Sequence, residues 1–272
     1  GDGCAMRVTF VGVGEAFDDS VPNTSLFLAG LTGGARATVL LDCGFTAAAA
    51  FFACPTLSVA DREAGPDAVW ISHFHGDHFF GLPWLVARLQ EAGRTRELPI
   101  FGGPEATQRV FAALDLAYPH LREKLGFAVR PVAVVPGEAF SLAGFPARTA
   151  ATEHGAPCLA LRLETERGAF FYSGDGRCGP ACRELASGCA LAVFEAYGLT
   201  GGAPGHGSVE ESLNRAGEAW VEALALVHVR RDVRRDRSAD IRRTLAEAPL
   251  RAFLPEPGQV FEGEARRGMA AG

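Results

Sequence analysis

Lysine is nearly absent from this 272-residue chain: among its 26 lysines and arginines only Lys124 is a lysine. So lopsided a choice reflects genomic base composition more than a guanidinium-specific role. Acidic residues outnumber basic ones, 32 to 26. The formal net charge of −6 argues against a surface dominated by nucleic-acid binding and leaves room only for a local phosphate-binding patch. Long hydrophobic runs are missing too. A membrane-spanning helix needs about 18 or more apolar residues in a row, and the most apolar stretch, 45–54, is closed by Pro55. The start lacks a basic segment followed by an apolar one, so no signal peptide is expected. Residues 1–6 read as a cloning remnant or a disordered start, with Met6 a candidate natural initiator. The seven cysteines (4, 43, 54, 158, 178, 182 and 189) are odd in number and show no repeated CxxC spacing, which argues against a disulfide scaffold and a zinc ribbon. Reduced thiols and a cytoplasmic location follow as expectations. Cys178, Cys182 and Cys189 read as small core residues rather than a thiol or metal cluster. Gly12-Val13-Gly14 lacks both a third glycine and a following helix, so a dinucleotide site is rejected.

What is present is enough apolar sequence, 48% of the residues, to bury one large core, so a single domain over 1–272 is expected. Short apolar runs suited to strands recur at 7–11, 24–29, 37–42, 68–71, 98–101, 127–135, 145–151, 158–163, 169–173, 191–194 and 224–227. Helical spacing occupies 79–91, 105–114, 180–186, 209–223 and 239–247. Hairpins are expected at Thr32-Gly33-Gly34, Pro136-Gly137-Glu138 and Glu166-Arg167-Gly168. The pattern predicts a sheet-rich α/β architecture with helices outside, and two sheets would make four layers.

The most informative stretch is His73-Phe74-His75-Gly76-Asp77-His78, four metal-capable side chains in six residues directly after the apolar run 68–71. An isolated histidine is most often a hydrogen-bonded surface or core residue, and clustering is what points to a metal site. On an extended tail His73 and His75 point the same way. Once the chain turns at Gly76, Asp77 and His78 can face a second ion, which suggests two-metal hydrolysis. Phe74 reads as packing, and Gly76 as serving the tight turn. Further ligand types follow other predicted strands: His154 after 145–151, Asp175 after 169–173 and His228 after 224–227. Strand ends that converge on one sheet edge would assemble an active site from such residues.

The ordered set His73, His75, Asp77, His78, His154, Asp175 and His228 resembles the metallo-β-lactamase superfamily in its dinuclear hydrolase form. The resemblance implies a four-layer αββα sandwich and two divalent ions, zinc first, with manganese or iron as alternatives. It places His73, His75 and His154 on one ion, Asp77, His78 and His228 on the other, and Asp175 between them. The antibiotic-degrading members lack that bridging aspartate. Glu195-Ala196 and Gly205-His206-Gly207-Ser208, with Asn23-Thr24-Ser25 and Leu41-Asp42-Cys43-Gly44 earlier in the chain, are similar to the tRNase Z group and its phosphodiesterase relatives. In that group the residue matching His206 is a proton donor near the leaving group.

Two departures bear on function. The His-Glu-Ala-Thr segment of the group stands here as Phe194-Glu195-Ala196-Tyr197, and Asp175 follows His154 after only 21 residues, filled by one predicted hairpin. In the tRNase Z enzymes that the chain resembles, the arm that grips the tRNA elbow is inserted in that interval, and this chain has no room for it. The expected function is therefore a phosphodiesterase acting on a small or cyclic phosphodiester through a metal-bridging hydroxide. Asp77, His206 and Glu195 are the catalytic candidates, and Arg230 or Arg231 the phosphate contacts. Alternatives are a tRNA 3′-end endonuclease without the arm, a sulfatase or lactone-type hydrolase, and a non-catalytic metal or ligand sensor. The partner expected is a small ester rather than nucleic acid or membrane, and the resemblance makes a homodimer reasonable. The run Arg230-Arg231-Asp232-Val233-Arg234-Arg235-Asp236-Arg237 reads first as an internally paired helix start.

Overall fold

A computed structural model describes residues 6–263; the reading of residues 1–5 as a cloning remnant, and Cys4 with it, lies outside the described residues. The chain builds two seven-stranded sheets in succession. The first takes β1 (Arg7–Gly12), β2 (Ser25–Thr32), β3 (Ala35–Leu41), β4 (Ala68–Trp70), β5 (Leu98–Gly102) and β6 (Val129–Ala133). Between them run α1 (Ala47–Ala53), α2 (Val59–Ala64), α3 (Gly76–Phe79), α4 (Leu82–Glu91), α5 (Ala106–Ala117) and α6 (Leu121–Lys124). The second takes β7 (Phe140–Leu142), β8 (Phe145–Ala151), β9 (Leu159–Thr165), β10 (Gly168–Tyr172), β11 (Leu191–Glu195) and β12 (Ala223–Val227). It is interleaved with α7 (Pro180–Leu185), α8 (Val209–Glu218) and α9 (Arg231–Ala246), and it ends on β13 (Arg251–Phe253). Last in the chain, β14 (Val260–Glu262) returns to the first sheet and pairs antiparallel with β1.

Each sheet starts antiparallel and turns parallel: β1 to β3 then β3 to β6, and β7 to β10 then β10 to β13. Parallel strands with helical crossovers are covered on both faces, which is why they read as continuous apolar runs rather than alternation. Along β2, Leu26 and Leu28 face the core between the sheets, together with Trp70, Phe145, Phe170 and Tyr172. Phe27 and Ala29 face the other way, into the layer beneath α1, α4 and α5. Phe171, Phe194, Leu224 and Leu226 likewise fill the layer beneath α7, α8 and α9. The outcome is the expected αββα sandwich. Among the described residues no helix is long and apolar enough to cross a membrane.

Three expectations need correction. Pro136-Gly137-Glu138 is not a hairpin: it links β6 in one sheet to β7 in the other. The hairpin beside it turns at Ala143-Gly144, where both φ angles are positive, as at Gly33-Gly34. The final helix starts at Arg231, eight residues before the expected 239, because the arginine run supplies its own carboxylate partners. Helix α8 stops at Glu218 and leaves the rest of 209–223 to a turn and the start of β12.

Candidate metal centre

Six of the seven histidines in the chain meet at one edge of the sandwich; His120 alone lies elsewhere. Parallel strands deliver their carboxyl ends to a common edge, and the loops after β4, β8, β10 and β12 supply His73 to His78, His154, Asp175 and His228. The ligand atoms fall into two groups, His73, His75 and His154, and Asp77, His78, Asp175 and His228, each within 4.8 Å. In the first, His73 Nε2 lies 3.0 Å and His154 Nε2 3.3 Å from His75 Nδ1. In the second, Asp77 Oδ2 lies 3.2 Å from Nε2 of both His78 and His228. Asp175 joins them, with Oδ1 3.3 Å from His78 Nε2 and Oδ2 3.3 Å from His228 Nε2 and 3.8 Å from His73 Nε2.

The far ring nitrogens decide whether these groups fit metal. His78 Nδ1 donates to Asp42 Oδ2 at 2.7 Å, and His154 Nδ1 donates to the Gly205 carbonyl at 2.8 Å. Ser72 Oγ donates to Asp42 Oδ2 at 2.7 Å, so His73 Nδ1, 3.1 Å away, is the donor to Ser72 Oγ. When neutral, each of these rings therefore turns an Nε2 lone pair inward, the tautomer a metal-ligating imidazole needs. The inward Nε2 atoms of His73 and His154 both face His75 Nδ1, whose single possible proton can satisfy only one of them, and the buried Nε2 of His78 has no well-directed hydrogen bond. A divalent cation in each group meets both needs, so the residues fit two such ions.

Charge divides between the groups. Burial, reinforced by His78, holds His73 well below the usual imidazole range, and burial with His154 also lowers His75. Burial acts the same way on His78, but Asp175 and Asp42 outweigh it and raise His78 well above that range; Asp175 and Asp77 likewise bring His228 to about 9. Burial works against ionisation of Asp77 and Asp175 as well, yet the surrounding histidines hold both below the usual carboxylate range. The second group is thus a buried anionic nest that demands positive charge.

Glu195 and His206 stand beside these ligands. His206 Nδ1 bonds Glu195 Oε1, while the Gly207 amide donates to Oε2 at 2.8 Å. Burial raises the Glu195 carboxyl above its ordinary range. Tyr197, where the tRNase Z group has threonine, stacks on His206 with ring centres 4.6 Å apart and planes 24° from parallel. His206 in turn meets His154 at 5.1 Å. Ser208 caps α8 by accepting from the Glu211 amide at 3.2 Å, which fixes the loop that carries His206.

Arg230 and Arg231 lie just beyond His228, but both are engaged. Arg230 grips Asp232 with two bonds, 2.6 and 2.9 Å, and Arg231 donates to buried Glu15 at 2.8 Å. The cysteine trio does not assemble around the centre: Cys189 faces Arg162 and Cys182 donates to the Ala151 carbonyl. Gly76 has no positive φ, contrary to the turn reading; a Cβ there would come within 2.2 Å of the Phe45 ring. Asp42 was missed as a functional residue. Fully buried, it accepts from the Ser72 amide and hydroxyl, from His78 and, at 2.6 Å, from the Tyr172 hydroxyl. Its φ of 58° and that of His228, 59°, put two non-glycine residues of the site in the left-handed region. The signals that could have found Asp42 are a carboxylate closing the apolar run 37–41 and its place in Leu41-Asp42-Cys43-Gly44, a segment similar to the tRNase Z group.

The family model described as a Beta-lactamase superfamily domain matches residues 37–229. Ribonuclease Z of Methanosarcina mazei is 29% identical over 159 residues, 58% of this chain and 48% of that protein. The chain thus spans about half the length of the curated relatives it matches. Among solved structures, the metallo-β-lactamase fold protein YhfI from Bacillus subtilis has a TM-score of 0.77 at 21% identity, covering 95% of this chain and 100% of that one. The short form of human tRNase Z has a TM-score of 0.73 at 19% identity, with 95% and 100% covered. A diphosphatase from the PhnP family reaches 0.67 at 16%, with 96% and 98% covered.

Proposed function

The chain belongs to the β-lactamase superfamily, and we propose that it is a metal-dependent hydrolase of that family, a phosphodiesterase acting on a small or cyclic phosphodiester. One observation carries this reading. His206, backed by the Glu195 carboxylate, has a ring nitrogen within 4.8 Å of ligand atoms of His154 and Asp175, so a proton donor adjoins the place where two cations fit. The interval between His154 and Asp175 also holds only β9, β10 and a two-residue turn, too little to grip a folded RNA.

In this proposal His73, His75 and His154 would hold one ion and Asp77, His78 and His228 the other, with the Asp175 carboxylate available between the two groups. Histidine with carboxylate in this donor set suits zinc first, with manganese or iron as alternatives. When bound, the ions supply an acidified water and neutralise the charge that grows on the phosphoryl oxygens. His206, its Nδ1 bonded to Glu195, presents Nε2 to the leaving alkoxide and gives up its proton there. Glu195 stabilises the imidazolium before that transfer. Arg231, held by Glu15 beside Tyr197, offers its remaining donors to a non-reacting phosphate oxygen, whereas Arg230 reaches one only by exchanging it for Asp232.

The test is turnover of bis-p-nitrophenyl phosphate and of cyclic nucleotides by metal-loaded protein, against a His75→Ala, Asp175→Ala double variant. Activity in the parent and its loss in the variant is the expected result; equal activity in the two sinks the proposal. A second reading, tRNA 3′-end processing, draws on the relatives that bear the name ribonuclease Z. Cleavage of a precursor tRNA with a steep loss at moderate salt would favour it.

A further inference from the structure

Beside the metal loop lies a pair of aromatic rings that neither the core nor the chemistry above accounts for. Phe45, on the link from β3 to α1, and Phe80, just after α3, are 58% and 50% exposed and lie 5.6 Å apart, tilted by 54°. Neither belongs to the buried cluster beneath α1 and α4, and Phe80 meets it at Phe79, ring centres 4.5 Å apart, while keeping half its surface in solvent. Leaving large apolar rings half in water forgoes part of the burial free energy that such rings usually contribute, and here the rings are held in that position. Cys43 donates to the His78 carbonyl at 2.7 Å, Gly81 donates to the Cys43 carbonyl at 2.8 Å, and a Cβ on Gly44 would come within 1.8 Å of the Asp77 carbonyl oxygen. The link is thus clamped onto the loop between Asp77 and Gly81. The rings in turn pack over Gly76, where a Cβ would lie 2.2 Å from Phe45 Cζ and 2.7 Å from Phe80 Cδ2. Gly76 has no left-handed backbone to explain its missing side chain, so the space that glycine leaves belongs to the aromatic pair. Exposed His75, one residue away, sets the pair on the solvent side of the ligand cluster.

We propose that Phe45 and Phe80 form a platform on which a nucleobase of the substrate stacks, which makes the preferred substrate a nucleoside phosphodiester. The proposal rests on the phosphodiesterase reading and narrows it. A rigid, half-exposed aromatic pair beside a phosphate-binding centre offers the π-face that every base can use, and such stacking is worth about 1–3 kcal/mol per base. With the phosphate at the metal ligands, the base of the non-leaving nucleoside lies within reach of the pair across Gly76.

The experiment compares two diesters with one leaving group, thymidine 5′-p-nitrophenyl phosphate and methyl p-nitrophenyl phosphate, on metal-loaded parent, on Phe45→Ala, Phe80→Ala, and on Phe45→Tyr, Phe80→Tyr. In the parent kcat/KM should favour the thymidine diester by roughly 5- to 100-fold, mainly through KM. The alanine pair should abolish that ratio and the tyrosine pair keep it. No preference in the parent, or a preference that survives the alanine pair, overturns the platform. Calorimetric titration with thymidine 5′-monophosphate and with methyl phosphate separates this outcome from failure of the parent reading. If neither diester is cleaved the phosphodiesterase proposal fails, while tighter binding of the nucleotide that the alanine pair abolishes still supports the platform, and equal binding refutes it. Dissociation of a dimer by the alanine pair with the substrate ratio intact would assign the rings to an interface between copies and also overturn the platform.

Discussion

The two halves of the sandwich supply the centre in opposite ways. The first half concentrates its ligands in one loop after β4, where the backbone bonds between Cys43 and His78 and between Gly81 and Cys43 clamp the whole unit. The second half scatters His154, Asp175, Glu195, His206 and His228 over four strands and the loop before α8, each with its own anchor: Gly205 for His154, Thr152 for the Asp175 carbonyl, and Val13 for the His228 amide. A clustered loop can form as a local unit. Scattered ligands meet only when the second sheet has closed on the first, so the shared element, Asp175, lies where the assembly depends most on tertiary structure.

That contrast predicts unequal losses. Asp175→Ala removes the carboxylate that lies in the second ligand group and within 4.0 Å of His73 and His154 in the first, so on the proposed function kcat/KM should fall by roughly 10⁴, as when a residue acting within a unit is removed, and bound metal measured by elemental analysis should fall below two ions. His75→Ala takes one exposed ligand from one group and should leave the other group occupied. Equal metal loss in the two variants would break the comparison.

The next largest effect separates proton chemistry from metal binding within the second half. His206→Ala should slow release of an alkoxide by about 10²–10⁴, with little change for nitrophenolate, which leaves without a proton, and with the metal content of the parent. A uniform fall across leaving groups would remove His206 from the proton-donor role.

Legibility in the sequence follows the same division. His73 to His78 announces itself because four ligand types are contiguous, whereas His154, Asp175 and His228 are individually ordinary and gain meaning only as strand ends and through a family resemblance. Asp42 stayed hidden because its partners are 30, 36 and 130 positions away. A buried carboxylate is read from the sequence as the end of a strand, not as the second contact of a histidine. Most of the sheet was legible because strands covered on both faces form apolar runs, but β7, β13 and β14, as short as β4 and unlike it each holding a polar residue, carry no such pattern. Pro136-Gly137 misled because a local turn signal cannot say whether the next strand joins the same sheet.

Asp42 therefore gives a sharper test of the clamped loop than the ligands do. Asp42→Asn keeps the shape but takes away the charge that Ser72, His78 and Tyr172 all address. Affinity for the ion held by His78 should drop by about 10- to 100-fold, the usual cost of losing the group that orients a metal-binding histidine. Metal titration with a competing chelator measures it. An unchanged affinity would mean that backbone bonds alone orient the loop.

The smallest effect tests whether the second half positions its chemistry through helix ends. Ser208 accepts the Glu211 amide at the start of α8 and follows His206 by two residues. Ser208→Ala should cost about 1 kcal/mol, a fall in Tm of roughly 2–4 °C for a domain of this size. In the first half the helix that carries Asp77 and His78, α3, has no side-chain cap, and its loop is clamped to Cys43 instead. If Ser208→Ala lowers Tm by that amount and also slows alkoxide release while nitrophenolate release holds, the cap serves His206 as well as the helix. A fall in Tm alone would leave the Glu195 bond and the Tyr197 stack as the contacts that orient the imidazole.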